Sequence, residues 1–307
     1  MAYVAISGEK QGEWLGAAER RWEAIARKRP DLAPAVELQQ RLLATVAQVL
    51  ALLERGRVLR LSLPARYLAT KLARGVPVLA DEPLPVPVSV LGPALTEFCD
   101  ALAAGGAGDA ARHVRDAIAG GQIDAGSLLT ASLSRHQAAI RTGATHRGLA
   151  PDLVWLVAEL AVSPFVYLLQ RTILSDPKDE TLRAALASWN HGYCPACGSW
   201  PAVAEVVAGH RTLRCSFCSS AWELRGYACI YCAEAGEQFV TVAPDDQHPE
   251  RRLEACRACA GYLKTIDLND LSPFPSLSIS DIETTDLDVA AMQQGYQRPA
   301  LKEFGRR

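Results

Sequence analysis

The sequence lacks an excess of charge of either sign. It carries 32 lysine and arginine residues against 34 aspartate and glutamate residues, a net charge of -2 at pH 7. Without a broad basic field, the chain has no general attraction for nucleic acid or for an anionic membrane surface. The composition is otherwise ordinary, with 49% hydrophobic and 21% charged residues. A chain of 307 residues has room for about two domains, so we expect a globular protein with a buried core.

Long uninterrupted apolar runs are also missing. Met1–Lys10 has no such run, which excludes a secretory signal peptide there. The best candidate for a membrane span, Leu153–Leu169, contains Glu159 and a Ser-Pro pair, which favours a buried helix of a globular core. We therefore expect a cytoplasmic protein without membrane insertion. Thiols stay reduced in that compartment, so dense cysteines indicate metal ligation rather than disulfide bonds.

The first 188 residues contain a single cysteine, Cys99, which lies among apolar neighbours and is expected to be a buried free thiol. Apolar residues recur there mostly every third or fourth position, as along Leu38–Leu53, which predicts helices. Asp31 is expected to cap the start of that helix, and Gly56 to take the left-handed position at its end. The other predicted helices are Gly12–Lys28, Pro93–Ala104, Ala107–Ala119, Ser127–Arg141, Ala150–Arg171 and Asp179–Trp189.

The remaining eight cysteines fall within 66 residues, as four pairs separated by two residues each. The pairs are Cys194 with Cys197, Cys215 with Cys218, Cys229 with Cys232, and Cys256 with Cys259. A two-residue gap lets both sulfurs of one tight turn face the same ion, and two such turns complete a tetrahedral site for zinc or for a single iron. The sequence therefore predicts two metal ions, iron or zinc, each bound by four cysteines.

The sequence between the pairs favours sequential over interleaved sites. Ala202–Val207 and Arg211–Arg214 predict a β-hairpin between the first two pairs, and Gln238–Val242 and Arg251–Ala255 predict another between the last two. Only ten residues separate Cys218 from Cys229, and they resemble one connecting strand, Ser220–Tyr227. Site 1 would hold Cys194, Cys197, Cys215 and Cys218, and site 2 would hold Cys229, Cys232, Cys256 and Cys259.

We expect an α+β chain in which an all-α region precedes two small metal modules of the rubredoxin or zinc-ribbon kind. The predicted boundaries are a helical domain over 1–188, a first ribbon over 189–223, a second ribbon over 224–270, and a tail with a short helix over 271–307.

Four thiolates around one ion leave no open position for a substrate, so catalysis by these sites is not expected. No other group of residues predicts a catalytic centre, and we expect no enzyme activity. Nucleic-acid binding is also disfavoured, because residues 189–265 carry a net charge of -1. Each divalent ion with four thiolates would add -2, and the loaded modules would repel phosphates.

The cysteine-rich segment resembles the FdhE family of formate dehydrogenase accessory proteins. The similarity covers about Tyr193 to Tyr296 and rests on the ordered set of four pairs and their surroundings. Its clearest pieces are Cys194-Pro-Ala-Cys-Gly-Ser-Trp-Pro201, Leu213-Arg-Cys-Ser-Phe-Cys218, Cys229-Ile-Tyr-Cys232, Glu254-Ala-Cys256 and Gly261-Tyr-Leu-Lys264. The first 188 residues fit the family only in being helical.

The resemblance implies a cytoplasmic maturation factor, or chaperone, required for active respiratory formate dehydrogenase and binding its catalytic subunit before export. It also implies iron as well as zinc, since family members resemble double rubredoxins. Phe217 and Tyr231, at the tips of two cysteine turns, would either anchor that partner or pack inside their own ribbon. The alternatives are a rubredoxin-like electron carrier and a zinc-ribbon module for protein or nucleic acid. The oligomeric state stays open, a homodimer included.

Overall fold

The computed structural model describes residues 3–4, 11–56, 63–175 and 177–302. The chain forms two compact units, each built from separate stretches of sequence. The helical unit contains Ala17–Leu61 and Asp81–Leu169, and the sheet unit contains Met1–Gly16, Ser62–Ala80 and Gln170–Arg306. Apart from Tyr3 and Val4, the N-terminal segment considered for a signal peptide lies outside the described residues.

Helices dominate the first two thirds of the chain, as the apolar spacing predicts. In chain order they are α1 (Gln11–Lys28), α2 (Ala33–Arg55), α3 (Ala65–Ala73), α4 (Val88–Leu102), α5 (Gly108–Ala119), α6 (Ala125–Leu133), α7 (Gln137–His146), α8 (Pro151–Leu174), α9 (Glu180–Ala187), α10 (Leu277–Glu283) and α11 (Thr285–Gln293). Together with the strands that follow, they confirm an α+β chain with a helical N-terminal region.

Helix α8 lies in the core rather than presenting an apolar surface. Val157, Ala161 and Val162 on this helix are fully buried, together with Phe98 of α4. By length and composition alone, Pro30–Arg55 and Pro151–Leu174 could cross a membrane, but 61% of the most apolar window of the second is buried inside the protein. A core helix of a soluble protein passes the same test, so the two helices are weak evidence for a membrane span.

Three local predictions about the helices are wrong. The stretch predicted as one helix over Ser127–Arg141 is two helices, α6 and α7, because the backbone turns at Arg135 with a left-handed φ of 60°. Asp31 does not cap α2, since its carboxylate binds the Arg29 guanidinium within a preceding 3-10 turn. Gly56 ends α2 with φ of -71°, in the right-handed region.

Within the described residues, seven strands form one mixed sheet: β1 (Tyr3–Val4), β2 (Pro201–Val207), β3 (His210–Cys215), β4 (Ala221–Trp222), β5 (Phe239–Val242), β6 (Arg251–Cys256) and β7 (Gly261–Leu268). Their order across the sheet is β1-β4-β3-β2-β7-β6-β5. The two predicted hairpins are β2–β3 and β5–β6, whereas the predicted strand Ser220–Tyr227 is reduced to the two residues of β4. Strand β7 has no counterpart in the sequence prediction.

Strand β7 joins the two hairpins into a single sheet. It is antiparallel to β6 and parallel to β2. The parallel pairing runs from Val203 opposite Lys264 to Val207 opposite Leu268. The two tandem ribbons expected from the sequence are therefore halves of one continuous structure. Residues 63–80, which lie within the predicted helical domain, pack within the sheet unit.

Backbone hydrogen bonds hold that earlier segment against the first cysteine turn. The Val78 and Leu79 amides donate to the carbonyl oxygens of Pro195 and Ala196, both at 2.9 Å. On the same segment, the buried Lys71 ammonium donates to the Val78 carbonyl at 3.1 Å. A buried ammonium needs such acceptors, because an unpaired charge in the protein interior is costly.

The C-terminal segment covers one face of the sheet. Arg214, Val203, Lys264 and Leu253 are register neighbours across β3, β2, β7 and β6, and side chains directly opposite one another share a face. Lys264 is fully buried, and its ammonium lies 2.6 Å from Asp281 of α10 and 2.7 Å from Asp288 of α11. The ion pairs fix the two C-terminal helices to the sheet.

A second buried ion pair joins the neighbouring strands β2 and β3. Arg214 and Glu205 are both fully buried and form an ion pair. The Arg214 guanidinium also donates to the Ser272 carbonyl at 2.6 Å, and the Ser272 amide donates to the Glu205 carboxylate at 3.1 Å. The pair thereby connects the first hairpin to the chain that leads into α10.

We expect Glu205→Gln to lower the free energy of unfolding by about 3 kcal/mol, because it leaves the buried Arg214 guanidinium without a counter-charge. Urea denaturation followed by circular dichroism would measure the change. The matched control is Glu180→Gln, whose partner Arg183 lies 3.1 Å away at an exposed position of α9. It should cost less than about 1 kcal/mol. Equal losses for the two variants would contradict this account.

Candidate metal centres

Both sets of cysteines lie at the same end of the sheet. Cys197 shortly precedes β2, and Cys259 shortly precedes β7. Because β2 and β7 run parallel, their first residues lie at the same end of the sheet. The turn that begins at Cys215 lies at the end of β3, the antiparallel partner of β2. The remaining turn, which ends at Cys232, precedes β5, and the start of β5 lies opposite the end of β6. The topology therefore places two equivalent structures side by side.

The sulfur atoms come together in two groups of four, in the sequential order. The first group is Cys194, Cys197, Cys215 and Cys218, and the second group is Cys229, Cys232, Cys256 and Cys259. Within each group the four sulfurs lie within 4.8 Å of one another. These are the eight residues that the sequence predicts as ligands, in the same two sets; that they bind metal stays a prediction.

The spacing of the sulfurs fits a tetrahedral metal site. The distances are 3.6 Å from Cys194 to Cys218 and 3.5 Å from Cys197 to Cys215 in the first group, and 3.7 Å from Cys229 to Cys259 in the second. A zinc–sulfur bond of about 2.3 Å implies a separation of about 3.8 Å between ligands at tetrahedral angles. A disulfide would bring two sulfurs to about 2.05 Å. Each group could therefore hold one metal ion.

All four cysteine turns share a backbone conformation. The residue after the second cysteine of each turn is left-handed, with φ of 81° at Gly198, 54° at Ser219, 64° at Ala233 and 54° at Ala260. Three of these residues carry a Cβ, and non-glycine residues adopt this region at a cost that the surrounding structure must offset. The sequence indicates only the first of these positions, because glycine alone signals a left-handed turn.

Amide groups within the turns point at the sulfurs. The Ala196 amide donates to the Cys194 sulfur, and the Phe217 and Cys218 amides donate to the Cys215 sulfur, each at 3.4 Å. Such donors stabilise a thiolate more than a thiol. The donor set is therefore suited to the deprotonated form that binds a metal.

Burial acts on the first group in the opposite direction. It raises the pKa of Cys215 and Cys218 well above the ordinary range of a thiol. Without a cation these buried groups would stay protonated at neutral pH, since burial disfavours the charged form. A divalent ion among the sulfurs reverses that balance, because a coordinating thiol loses its proton. The chemistry of the site thus favours a thiophilic cation.

Cys99 lies outside both groups. It is fully buried in α4, and burial raises its pKa to about 12, with Asp100 adding to the effect. A neutral thiol in an apolar environment is unreactive. This placement agrees with the buried, free cysteine expected from its apolar neighbours.

The two aromatic residues at the turn tips pack within the sheet unit. Phe217 is only 2% exposed, so the interpretation of this residue as an exposed anchor is wrong. The Tyr231 hydroxyl donates to the Tyr262 carbonyl at 3.0 Å. Its ring also meets Trp200 edge-on at a centroid distance of 5.0 Å. Since Trp200 follows the first turn and Tyr231 lies inside the third, this contact connects the two groups.

No protein-family model matches the chain. Curated relatives match it over part of its length. The Protein FdhE homolog of Aquifex aeolicus is 32% identical over 114 residues, which cover 35% of this chain and 40% of the relative. Protein FdhE of Escherichia coli O127:H6 is 30% identical over 116 residues, covering 36% and 37%. The homolog of Stutzerimonas stutzeri is 33% identical over 166 residues, covering 50% and 48%. The matched segments thus span less than half of each of these relatives.

The fold resembles a solved structure over nearly the whole chain. The crystal structure of the FdhE protein from Pseudomonas aeruginosa aligns with a TM-score of 0.59 and 20% sequence identity, covering 96% of both chains. That likeness concerns the fold, and the curated relatives add the likeness in sequence. Together they confirm the resemblance to the FdhE family that the four cysteine pairs indicate.

We expect the purified chain to bind two metal ions, and Cys194→Ser to bind one. The variant removes one of four donors from a closed tetrahedron and should empty the first group. Elemental analysis of protein prepared without oxygen would count the ions. Cys99→Ser is the matched control and should keep both. Retention of two ions by Cys194→Ser would show that the ligand assignment is wrong.

Proposed function

We propose that this chain is a cytoplasmic accessory factor for a respiratory formate dehydrogenase, and that it binds the catalytic subunit of that enzyme before export. The observation that carries the proposal is the pair of four-cysteine groups at one end of a single sheet. This arrangement occurs in a chain whose relatives are named FdhE and whose fold matches an FdhE structure.

We propose further that the eight cysteines each donate a thiolate to one of two ions, iron or zinc. When bound, either ion would crosslink two turns that are far apart in sequence, and iron could also carry one electron. The residues of the chain prepare the two sites: backbone amides donate to the sulfurs, and left-handed turns bring the two cysteines of each pair together. The modules would then be rigid surfaces rather than reaction centres.

The donor sets support a role other than catalysis. Four sulfurs occupy every position of a tetrahedral ion, whereas catalytic sites keep one position for water or substrate. The described histidines nearest in sequence, His191, His210 and His248, belong to neither group. The chain would therefore act by binding a partner protein, and we expect no oxidation of formate by the isolated chain.

The second hairpin offers a surface for such a partner. Tyr227 is 50% exposed, and Val242 on β5 is 46% exposed. Strand β5 is last in the sheet order, at an edge of the sheet. Exposed apolar side chains beside an edge strand are typical of surfaces that pair with another chain. These residues take the role that the sequence suggested for Phe217.

A rubredoxin-like electron carrier is the second candidate function. The exposed side chain of Cys232 in the second group favours it, because an exposed ligand gives an electron a short route to an ion. An iron-loaded chain that changes its visible absorption reversibly on reduction, with no complex formed with the catalytic subunit, would support this alternative over the accessory role.

We expect the full chain to capture the catalytic subunit of formate dehydrogenase in a pull-down, and Val242→Glu to reduce capture roughly tenfold, as expected for a charge placed in an apolar contact. The matched control is Val289→Glu, which places the same charge at a position of α11 that is 44% exposed. A double Cys229→Ala, Cys232→Ala variant should also lose the partner, because the turn loses its ion. Capture of the subunit by this double variant at the parent level would contradict binding through the ribbons.

A further inference from the structure

The two groups of cysteines differ in their access to solvent. In the first group, Cys194, Cys215 and Cys218 are fully buried and Cys197 is 3% exposed. In the second group, Cys232 is exposed and Cys259 is half-buried. The two groups share turn geometry and sulfur spacing, so the difference lies in what covers them. A reagent in water could reach the second group directly, whereas the first requires local opening of the fold.

A cavity of about 270 Å³ adjoins the exposed turn of the second group. Its wall includes the third turn from Cys229 to Cys232, with Trp200, Arg225 and Lys302. None of its lining residues is an aspartate or glutamate. Four thiolates with one divalent ion carry a charge of -2, and the two cationic side chains offset that charge. A small anionic ligand, such as a low-molecular-weight thiol or carboxylate, would therefore not be repelled from the ion.

The end of the described chain crosses both groups as a strap, which we define as Tyr296–Lys302. The Gln297 amide donates to the carbonyl of Ala260, directly after Cys259, at 2.8 Å. Further along, the Ala300 carbonyl accepts from the Trp200 indole at 2.9 Å. The Lys302 ammonium lies 4.5 Å from the centre of the Tyr193 ring, next to Cys194. Between these contacts, the Arg298 guanidinium forms ion pairs with Asp288 of α11 at 3.0 Å and Asp281 of α10 at 3.4 Å. The strap is thus held at the fourth turn, beside the first turn and on the C-terminal helices.

We propose that the second group is the exchangeable metal site of this chain, that the first group holds its ion permanently, and that the contact between Gln297 of the strap and the fourth turn persists only while the second group is filled. The proposal rests on the metal binding proposed above. The exchange would be a ligand substitution, in which the cysteine thiolates that would hold the ion take up protons from the solvent as an incoming anionic ligand replaces them. Without the metal crosslink beside it, Ala260 would no longer be held in its left-handed conformation. Its carbonyl would then no longer be positioned to accept from the Gln297 amide.

The experiment uses the full chain loaded with two zinc ions. An anionic chromophoric chelator is added, and metal release is followed by absorbance while iodoacetamide and mass spectrometry map the thiols that become free. We expect one equivalent of zinc to leave roughly tenfold faster than the other, since thiol reactivity follows exposure. Cys232 and Cys259 should be alkylated in that first phase, and Cys194 and Cys218 only in the second. Release of both ions at one rate, or earlier alkylation of the first group, would overturn the proposal.

Hydrogen–deuterium exchange tests the strap. After the first equivalent is removed, the Gln297 amide, which donates to Ala260, should exchange roughly tenfold faster, while strands β2 and β3 keep their protection. Unchanged protection of the Gln297 amide would overturn the dependence of this contact on the second group. A chain that binds no zinc or iron would instead overturn the proposed metal function itself, so the two failures can be told apart.

The role of the positive charge in the cavity can be tested separately, with a matched control. Lys302→Glu should slow release by the anionic chelator several-fold relative to its effect on release by a neutral chelator, because any loosening of the strap affects both chelators alike. Lys178→Glu makes the same change of net charge at an exposed position that does not line the cavity, and it should have no effect. Equal slowing by both variants would show that the cavity does not guide the ligand.

Discussion

The parallel pairing of β2 with β7 is the constraint on which the sheet unit depends. Each of these strands begins just after a cysteine turn, and each carries its own antiparallel hairpin partner. Had β7 run the other way beside β2, the two groups of sulfurs would lie at opposite ends of the sheet. The parallel ladder instead brings Trp200 of the first half against Tyr231 of the second. Two small metal modules, each with little core of its own, thereby share one sheet and one covering layer.

Buried charges hold that covering layer in place. Lys264 and Arg214 lie on the covered face with no exposure to water, and each finds its partners in or around the C-terminal segment. Such pairs add little net stability compared with apolar packing, but removing one partner is costly. They therefore act mainly to select one arrangement of α10 and α11 on the sheet.

The two cysteine groups show how one local geometry can serve different purposes. Amide donors and left-handed turns give both groups a nearly tetrahedral arrangement of sulfurs. The first group is then covered by the segment around Val78 and by its own hairpin, while the second keeps an exposed cysteine beside a cavity. Since metal binding and folding are coupled in small modules, the covered ion would belong to the fold. The ion in the second group would instead exchange with ligands in solution.

The sequence by itself determined the cysteine turns, their sequential grouping, the two hairpins and most of the helices. These features depend on residues close together in the chain: a two-residue gap between cysteines, or an apolar repeat of three to four. The sequence could not place β7, because its parallel partner β2 lies about sixty residues away and neither strand carries a local signal of that pairing. It equally missed the packing of Val78 and Leu79 on the first turn, which joins segments more than a hundred residues apart. Burial of Phe217 and exposure of Cys232 were decided by the same distant contacts, since the accessibility of a side chain depends on what the rest of the chain places over it.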